Sequence, residues 1–178
     1  MTHKLYFRGA KFGRHTFWIA SLITSFFVQT TSAETPAQFA HKFAGFKFAY
    51  HTKVQEPNIF LQTQSGDCDD YATLAADVLR KSGYKPRLFA VRMKGETHVV
   101  CYVPETKSYL DYNNRTAENP LVPCDGTVRD IAGKVASSFG RNWLAAYEFS
   151  YREKIKWLVN TVVQNDAGQK ALLATVGH

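Results

Sequence analysis

The sequence predicts a mixed α and β fold in which a helix precedes an antiparallel sheet. From Cys68 onward the apolar residues recur at three- and four-residue steps, which is the spacing of an amphipathic helix. Three extended runs follow at 87–93, 97–103 and 108–112, and the segments between them are short and rich in turn-forming residues. Consecutive strands joined by short turns are typical of an antiparallel sheet.

An earlier helix is expected near residues 36–50. The segment Thr35-Pro36-Ala37-Gln38 has the form of a capping box with proline at the first helical position. The predicted helix carries an apolar stripe of four aromatic residues: Phe39, Phe43, Phe46 and Tyr50. Such a stripe is more often packed on a core than exposed to a partner.

The second half of the chain predicts a further helix and two more strands. The pattern indicates a helix over 128–139 and then strands at 143–151 and 155–159. No repeat or linker interrupts this order. We therefore expect a single domain over 34–178, with its core at about 36–160, which is long enough to bury one hydrophobic interior.

The central helix begins with a cysteine among acids. Ser65 or Asp67 can cap its N-terminus. There the thiol of Cys68 meets unsatisfied N–H groups and the positive end of the helix dipole, which favour the ionised form. The carboxylates of Asp67, Asp69 and Asp70 oppose that effect, so a reactive thiol needs a cationic partner. The alternative is a buried structural cysteine.

A histidine and an aspartate lie on the predicted hairpin. A tight turn centred on Glu105-Thr106 pairs Val103 with Ser108. By alternation His98 and Asp111 then share one face as diagonal neighbours, about 7–8 Å or somewhat less apart between Cβ atoms. A slip of one residue in this register would put them on opposite faces.

This register makes three residues into candidates for nucleophilic catalysis. Asp111 can hold one ring nitrogen of His98 and leave the other for Cys68. The resulting imidazolium is also the cation that the acidic surroundings of the thiol require. Taken singly, the histidine would be read as a packed strand residue and the aspartate as a turn acid.

These residues also resemble a known family. The run Gly66-Asp67-Cys68-Asp69-Asp70-Tyr71-Ala72, with His98 heading one strand and Leu110-Asp111 ending the next, resembles the transglutaminase-like superfamily. The likeness is closest to its small bacterial members, the transglutaminase-like cysteine proteinases, and covers about 61–114. It implies a papain-like α+β core in which the helix of the nucleophile packs on an antiparallel sheet that carries the histidine and the aspartate.

The resemblance also implies a role for each site residue. Cys68 would be the nucleophile, His98 the general base and acid, and Asp111 the residue that orients the histidine. Gln62 lies six residues before Cys68, the spacing at which papain-type proteases resemble this site, and is a candidate oxyanion donor. The alternative for Gln62 is a polar loop residue.

The function expected from these residues is attack on an amide carbonyl through an acyl-thioester. Hydrolysis of a peptide or isopeptide bond is the first interpretation, and acyl transfer to an amine is the second. A protein or peptide substrate is expected, without a cofactor. The opposing hypothesis is a non-catalytic domain of the same fold that binds peptide or cell-wall material.

Residues 1–33 have the features of a signal peptide. Basic residues come first, an apolar run follows over Phe17–Val28, and Thr31-Ser32-Ala33 offers a small-residue cleavage site. The apolar run is too short to span a bilayer as a helix, so we expect no permanent membrane anchor. The sequence therefore predicts export, to a periplasm or out of the cell.

The net charge of +7 depends on this leader. Four of the 22 Lys and Arg residues and none of the 15 acids precede Glu34, which leaves about +3 for the rest. No basic stripe interleaved with aromatic residues is present. We therefore expect no nucleic-acid partner.

An odd number of cysteines in an oxidising compartment suggests one disulfide and one free thiol. Cys101 and Cys124 could pair and leave Cys68 free, or both could stay unpaired. These cysteines and His98 could also be zinc ligands, but His98 and Cys101 are three positions apart in a strand and therefore lie on opposite faces. No metal site is predicted.

Overall fold

A computed structural model of the chain describes residues 33–152, 155–164 and 168–170. Its helices and strands are, in chain order, α1 (Pro36–Lys42), β1 (Lys47–Phe48), α2 (Pro57–Thr63), β2 (Ser65–Gly66), α3 (Cys68–Lys81), β3 (Arg87–Met93), β4 (Glu96–Val103), β5 (Ser108–Leu110), β6 (Leu121–Pro123), α4 (Val128–Ser138), β7 (Trp143–Arg152) and β8 (Ile155–Val163). Single 3-10 turns follow β4 at Pro104–Thr106 and β5 at Tyr112–Asn114. Apart from Ala33, the predicted signal peptide lies outside the described residues.

The main sheet of the described residues is antiparallel throughout. Its strands lie in the order β6-β5-β4-β3-β7-β8. The short strands β1 and β2 pair separately and in parallel. The pairs Val103–Ser108 and Tyr102–Tyr109 confirm the register predicted for the hairpin of β4 and β5. Helices combined with an antiparallel sheet are the fold class that the sequence predicts.

Alternation along β4 divides the core between the two faces of the sheet. Val99, Cys101 and Val103 are buried in the cluster that contains α3. Val100 and Tyr102 point the other way and are buried in the cluster that contains α4. The sheet is therefore covered on one face by α3 and on the other by α4, and both faces exclude water.

An aromatic cluster fixes the first turns of α3. The fully buried ring of Tyr71 lies 5.5 Å from the rings of both Phe39 and Phe43, which come from α1 and its C-terminal end. It lies 5.7 Å from the ring of Tyr112, which follows β5. Edge-to-face and tilted contacts of this kind add to the burial of the rings themselves. The cluster thereby connects the start of α3 to the end of β5.

The helix expected near 36–50 is shorter than predicted. The capping box at its start is present, but α1 ends at Lys42. The backbone N–H of Lys47 donates to the carbonyl oxygen of Gln64 at 2.9 Å, and strand pairing replaces the helix from there. Tyr50 is consequently 75% exposed instead of buried in a helical stripe.

Among the described residues, no helix has both the length and the apolar character needed to cross a membrane.

Candidate active site

Cys68 is the first residue of α3 and is partly exposed. Asp67 caps the helix in extended conformation, and its side chain accepts a hydrogen bond from the backbone N–H of Asp69 at 3.3 Å. The position therefore combines a thiol with the unsatisfied N–H groups and the positive dipole end of a well-capped helix. Both features stabilise negative charge on sulfur or on an oxyanion nearby.

His98 lies near the start of β4 and contacts the other two candidates. The residue is 3% exposed. Its Nε2 lies 2.8 Å from Oδ1 of Asp111, and it lines the same cleft as Cys68, whose side chain is near enough to raise the pKa of the imidazole. The edge of Phe139, at the end of α4, packs against the ring with centroids 4.9 Å apart. These contacts from several directions fix the orientation of the imidazole.

Asp111 is held as firmly as the histidine. It is 2% exposed, and the same Oδ1 that binds His98 also accepts the backbone N–H of Asn113 at 2.8 Å. Asp111 thus caps the 3-10 turn that follows β5 while it orients the ring. A carboxylate with a charged donor and a backbone donor forms strong, short hydrogen bonds.

The end of β5 leaves room for this contact. The last pair between β4 and β5 in the described residues is Cys101 with Leu110, so 96–100 of β4 pair with β3 alone. Alternation points His98 toward the α4 face, whereas Cys68 begins a helix on the opposite face. The two side chains meet where β5 no longer continues the sheet. The structure therefore brings Cys68, His98 and Asp111 together.

The protonation of His98 is set by its partners. Burial disfavours the imidazolium, but the hydrogen bonds and negative charges of Asp111 and Cys68 outweigh it and raise the pKa of His98 to about 10. The ring is therefore positively charged at neutral pH. This charge is the cation that the acidic sequence around the thiol requires.

Two of the three acids around Cys68 bind the segment at 51–55. Asp67 accepts the backbone N–H of His51 at 2.9 Å. Asp70 accepts the backbone N–H and the side-chain amide of Gln55 at 2.6 and 2.7 Å. A Cβ at Gly66 would lie 2.6 Å from the Asp70 carboxylate, so only glycine fits beside it. These acids therefore hold a backbone segment beside the start of α3.

The third acid, Asp69, holds its proton more tightly than a free carboxyl group does. Burial, a hydrogen bond with Asp67 and the nearby charges of Asp67 and Asp70 raise the pKa of Asp69 to about 8, against the opposing charge of Lys156. The three carboxylates lie within 4.8 Å of one another, which is close enough to surround a cation. The carboxylates of Asp67 and Asp70 are already engaged by N–H donors, and nothing else in the described residues points to a metal there.

Two candidate assignments from the sequence are corrected by the structure. Gln62 is exposed on α2 and is not among the described residues that line the cleft at Cys68, so it offers no oxyanion donor there. Cys101 and Cys124 are free thiols and belong to the core clusters on opposite faces of the sheet, so of the two possibilities that the sequence leaves open, the structure has the unpaired one. Alternation along β4 separates them, because Cys101 points away from the face where Cys124 packs.

A cleft of about 790 Å³ opens above Cys68 and His98. Its rim carries Phe48 and Tyr50, which are 66% and 75% exposed. Tyr50 was expected on a helix, and Gln55, whose side chain bonds to Asp70 from 15 residues earlier in the chain, was not among the predicted site residues.

The chain is similar to known proteins in sequence and in structure. A family model described as a transglutaminase-like domain matches residues 18–113, which include all three candidates. The chain is similar in structure to calcium-bound LapG of Legionella pneumophila, with 17% identity, a TM-score of 0.44, and 77% of this chain and 78% of that one covered. It is also similar to a Cytophaga hutchinsonii protein provisionally described as a cysteine protease, with 16% identity, a TM-score of 0.35, and 74% and 45% covered. No curated protein matches the chain.

Proposed function

The chain belongs to the transglutaminase-like family, and we propose that it is a thiol enzyme that cleaves amide bonds with Cys68, His98 and Asp111. The observation that carries this proposal is one buried histidine that bonds to Asp111 and lies beside Cys68 in the same cleft. A histidine held in this way can keep the proton of the thiol as imidazolium and later give it to a leaving group.

The reaction begins with attack of the Cys68 thiolate on the carbonyl carbon of an amide. A C–S bond forms and the carbonyl electrons move to oxygen, which the backbone N–H groups at the start of α3 stabilise. As the C–N bond breaks, the His98 imidazolium donates its proton to the departing amine. The acyl group is then held on Cys68 as a thioester.

Deacylation uses the same residues in the reverse sense. Neutral His98 takes a proton from water, and the water oxygen attacks the thioester. The C–S bond breaks, a carboxylic acid leaves, and the thiolate and imidazolium are restored. Throughout, Asp111 orients the ring and stabilises its positive charge.

Hydrolysis is the favoured outcome, and acyl transfer to an amine is the second. The exposed rim of the cleft supports hydrolysis, because water reaches Cys68 without displacing a covering segment of the described chain. A volume of about 790 Å³ suits a stretch of peptide. The substrate class in this proposal is therefore a protein or peptide.

Export is part of the proposal. The basic and apolar segments of 1–33 support a leader that directs the chain to a periplasm or outside the cell. The free thiols of Cys101 and Cys124 need no disulfide in that compartment, since both are buried in the core. Secretion assays of the full chain fused to a reporter would test this part on its own.

The experiment that tests the catalytic proposal is alkylation of Cys68 by iodoacetamide across pH, followed by mass spectrometry. A free cysteine, with a reference pKa of about 8.5, reacts slowly at pH 6. We expect Cys68 to react roughly 100-fold faster than that at pH 6, because the His98 imidazolium stabilises the thiolate. The variant His98→Ala should lose this excess.

A matched control is the exposed His41→Ala, which alters a histidine of α1 away from the cleft and should leave the rate unchanged. Equal rates in the wild type and in His98→Ala would contradict the proposal. The non-catalytic alternative would then be favoured, and it predicts normal peptide binding by Cys68→Ala with no loss of biological activity.

A further inference from the structure

Lys156 lies on the same side of the main sheet as Cys68. It belongs to β8, the last strand of that sheet, and its Nζ lies 4.5 Å from the ring centroid of Phe149 and 5.6 Å from that of Tyr147. Both rings are buried in the core cluster on the α3 face, against which Cys68 also packs. Lys156 and Cys68 line the same cleft. The ammonium group of Lys156 therefore lies within reach of a molecule bound at the thiol.

Arg92 brings a second positive charge to the same cleft. Its neighbour in β3, Val91, is buried in the cluster that contains α4, so alternation points Arg92 to the face of α3. Arg92 lines the cleft together with Lys156. Burial lowers the pKa of Lys156, and the nearby charge of Arg92 lowers it further. The charges of Asp69 and Cys68 oppose this shift. The two cations and the thiol are therefore close enough to act on one another.

The acids that line the cleft do not form an ion pair with Lys156. Among the described residues, no carboxylate oxygen lies within 4.0 Å of its Nζ. Asp67 accepts two backbone N–H groups, and Glu96 bonds to Arg141 at 2.9 Å. Burial above all raises the pKa of Asp69 to about 8, so this group is a weaker partner for an ammonium than a free carboxylate. The positive charge of Lys156 is thus available to a ligand.

The aromatic rings under Lys156 hold its ammonium group without neutralising it. A cation within about 6 Å of an aromatic ring centroid is attracted by the quadrupole of the ring, and both contacts meet this limit. Lys156 is also exposed, so an anion in the cleft can reach the ammonium without a rearrangement of the sheet. A carboxylate is the substrate group that such a cation binds most strongly, through a charge-assisted hydrogen bond.

We propose that Lys156 determines specificity by binding a carboxylate of the substrate next to the amide bond that Cys68 attacks. The inference rests on the proposed function and makes it more specific. The charge of Arg92 supports the same preference. The substrate is then a polypeptide that carries an acidic side chain, or its own terminal carboxylate, beside the bond that is cleaved. A neutral or basic group at this position is disfavoured.

The test compares two alkylating reagents of similar size and different charge. Iodoacetate carries a carboxylate directly beside the carbon that Cys68 attacks, whereas iodoacetamide carries a neutral amide there. The ratio of their rates at pH 7 reports how the cleft receives a negative charge, because a change in the reactivity of the thiol itself cancels. We expect this ratio to fall about threefold in Lys156→Gln and about tenfold in Lys156→Glu. Lys156→Arg keeps the positive charge and should keep most of the ratio.

The matched control is Lys134→Gln, which removes a lysine of α4 outside the cleft and should leave the ratio unchanged. The His98 imidazolium also attracts iodoacetate, but it is present in every variant of the series. Added salt gives an independent check, because it screens exposed charges. It should lower the ratio of the wild type more than that of Lys156→Gln.

Four further reagents show which carboxylate is bound. The iodoacetyl derivative of aspartic acid α-amide carries an acidic side chain, and that of asparagine amide is its neutral counterpart. Iodoacetylglycine carries a terminal carboxylate, and its amide is the neutral counterpart. The charged reagent with the larger excess over its counterpart identifies the source of the carboxylate, and Lys156→Gln should lose that excess.

The outcomes distinguish the two proposals. A reagent ratio that stays unchanged in Lys156→Gln and Lys156→Glu would overturn the specificity assignment and leave the catalytic proposal intact. Equal falls in Lys156→Arg and Lys156→Gln would also overturn it, because the charge would then not be the cause. Equal iodoacetamide rates in the wild type and His98→Ala would overturn the catalytic proposal instead.

Discussion

Two buried aspartates near Cys68 are used in opposite ways. Asp111, at the end of β5, binds a side chain that carries a proton, because its Oδ1 lies 2.8 Å from Nε2 of His98. Asp70, in the first turn of α3, binds the backbone N–H and side-chain amide of Gln55 and the N–H of Asp67. Both residues are 2% exposed. Burial alone therefore does not distinguish a site residue from a structural one.

The partner of each carboxylate decides what its loss would change. Removal of Asp111 takes away the hydrogen bond that contributes most to the raised pKa of His98. The reactivity of the Cys68 thiol should therefore change. Removal of Asp70 leaves the donors of Gln55 and Asp67 without an acceptor, so the fold should weaken. The comparison predicts that activity and stability respond to different aspartates.

The largest effect is expected at Asp111. In Asp111→Ala the buried His98 loses its anionic partner and becomes neutral, and the alkylation rate of Cys68 at pH 6 should fall by roughly 100-fold. Asp111→Asn retains an oxygen that can accept from both His98 and Asn113, so its fall should be nearer tenfold. Rates measured on folded protein at several iodoacetamide concentrations check both values.

An Asp111→Ala protein that is alkylated at the wild-type rate would show that Asp111 does not act on the reactivity of Cys68. The order of the two variants is a further check. If Asn were as harmful as Ala, then the negative charge would be the whole contribution of Asp111, and its hydrogen bond would contribute nothing beyond that charge.

The next effect is a loss of stability at Asp70. Asp70→Asn places an amide group against three donors, and we expect the free energy of unfolding to fall by about 3 kcal/mol in urea denaturation. The alkylation rate of the folded protein should stay within about threefold of the wild type. Asp77→Asn, on the same helix and half-exposed, is the control and should cost less than about 1 kcal/mol.

A stable Asp70→Asn protein with an unreactive thiol would contradict this assignment. It would mean that the segment at 51–55 acts on the chemistry of Cys68 directly. The comparison would then have to treat both aspartates as parts of one site.

The contrast also explains which parts the sequence could predict. Periodicity defined α3, and turn length with alternation defined the register of β4 and β5, so the approach of His98 to Asp111 followed from local rules. The bond from Gln55 to Asp70 spans 15 residues that show no periodic pattern, and it depends on where α2 lies. Such contacts arise from tertiary packing, which a single sequence does not encode in its spacing.

The errors have the same origin. The first helix is cut short because Lys47 pairs with the strand before Cys68, a contact that propensity does not contain. The disulfide between Cys101 and Cys124 could have been rejected from the alternation of β4, had the face of Cys124 been known. Both cases show that alternation predicts which side chains of a hairpin share a face of the sheet. It does not predict how segments distant in sequence pack against that sheet.

The smallest effect is expected in the pH dependence of stability, and it sharpens the comparison. Because the pKa of His98 rises from about 6.5 unfolded to about 10 folded, its contribution to stability is complete below pH 6.5 and is lost as the pH rises toward 10. Between these values the melting temperature of the wild type should fall more than that of His98→Ala, which lacks the titrating ring. Asp111→Asn should lose the stabilising contribution of His98 at a lower pH, since it lacks the negative charge that stabilises the imidazolium. Asp70→Asn should shift the whole curve downward and keep its shape, because its carboxylate has no part in the titration of His98. Parallel curves for the wild type and Asp111→Asn would contradict the division of labour between the two aspartates.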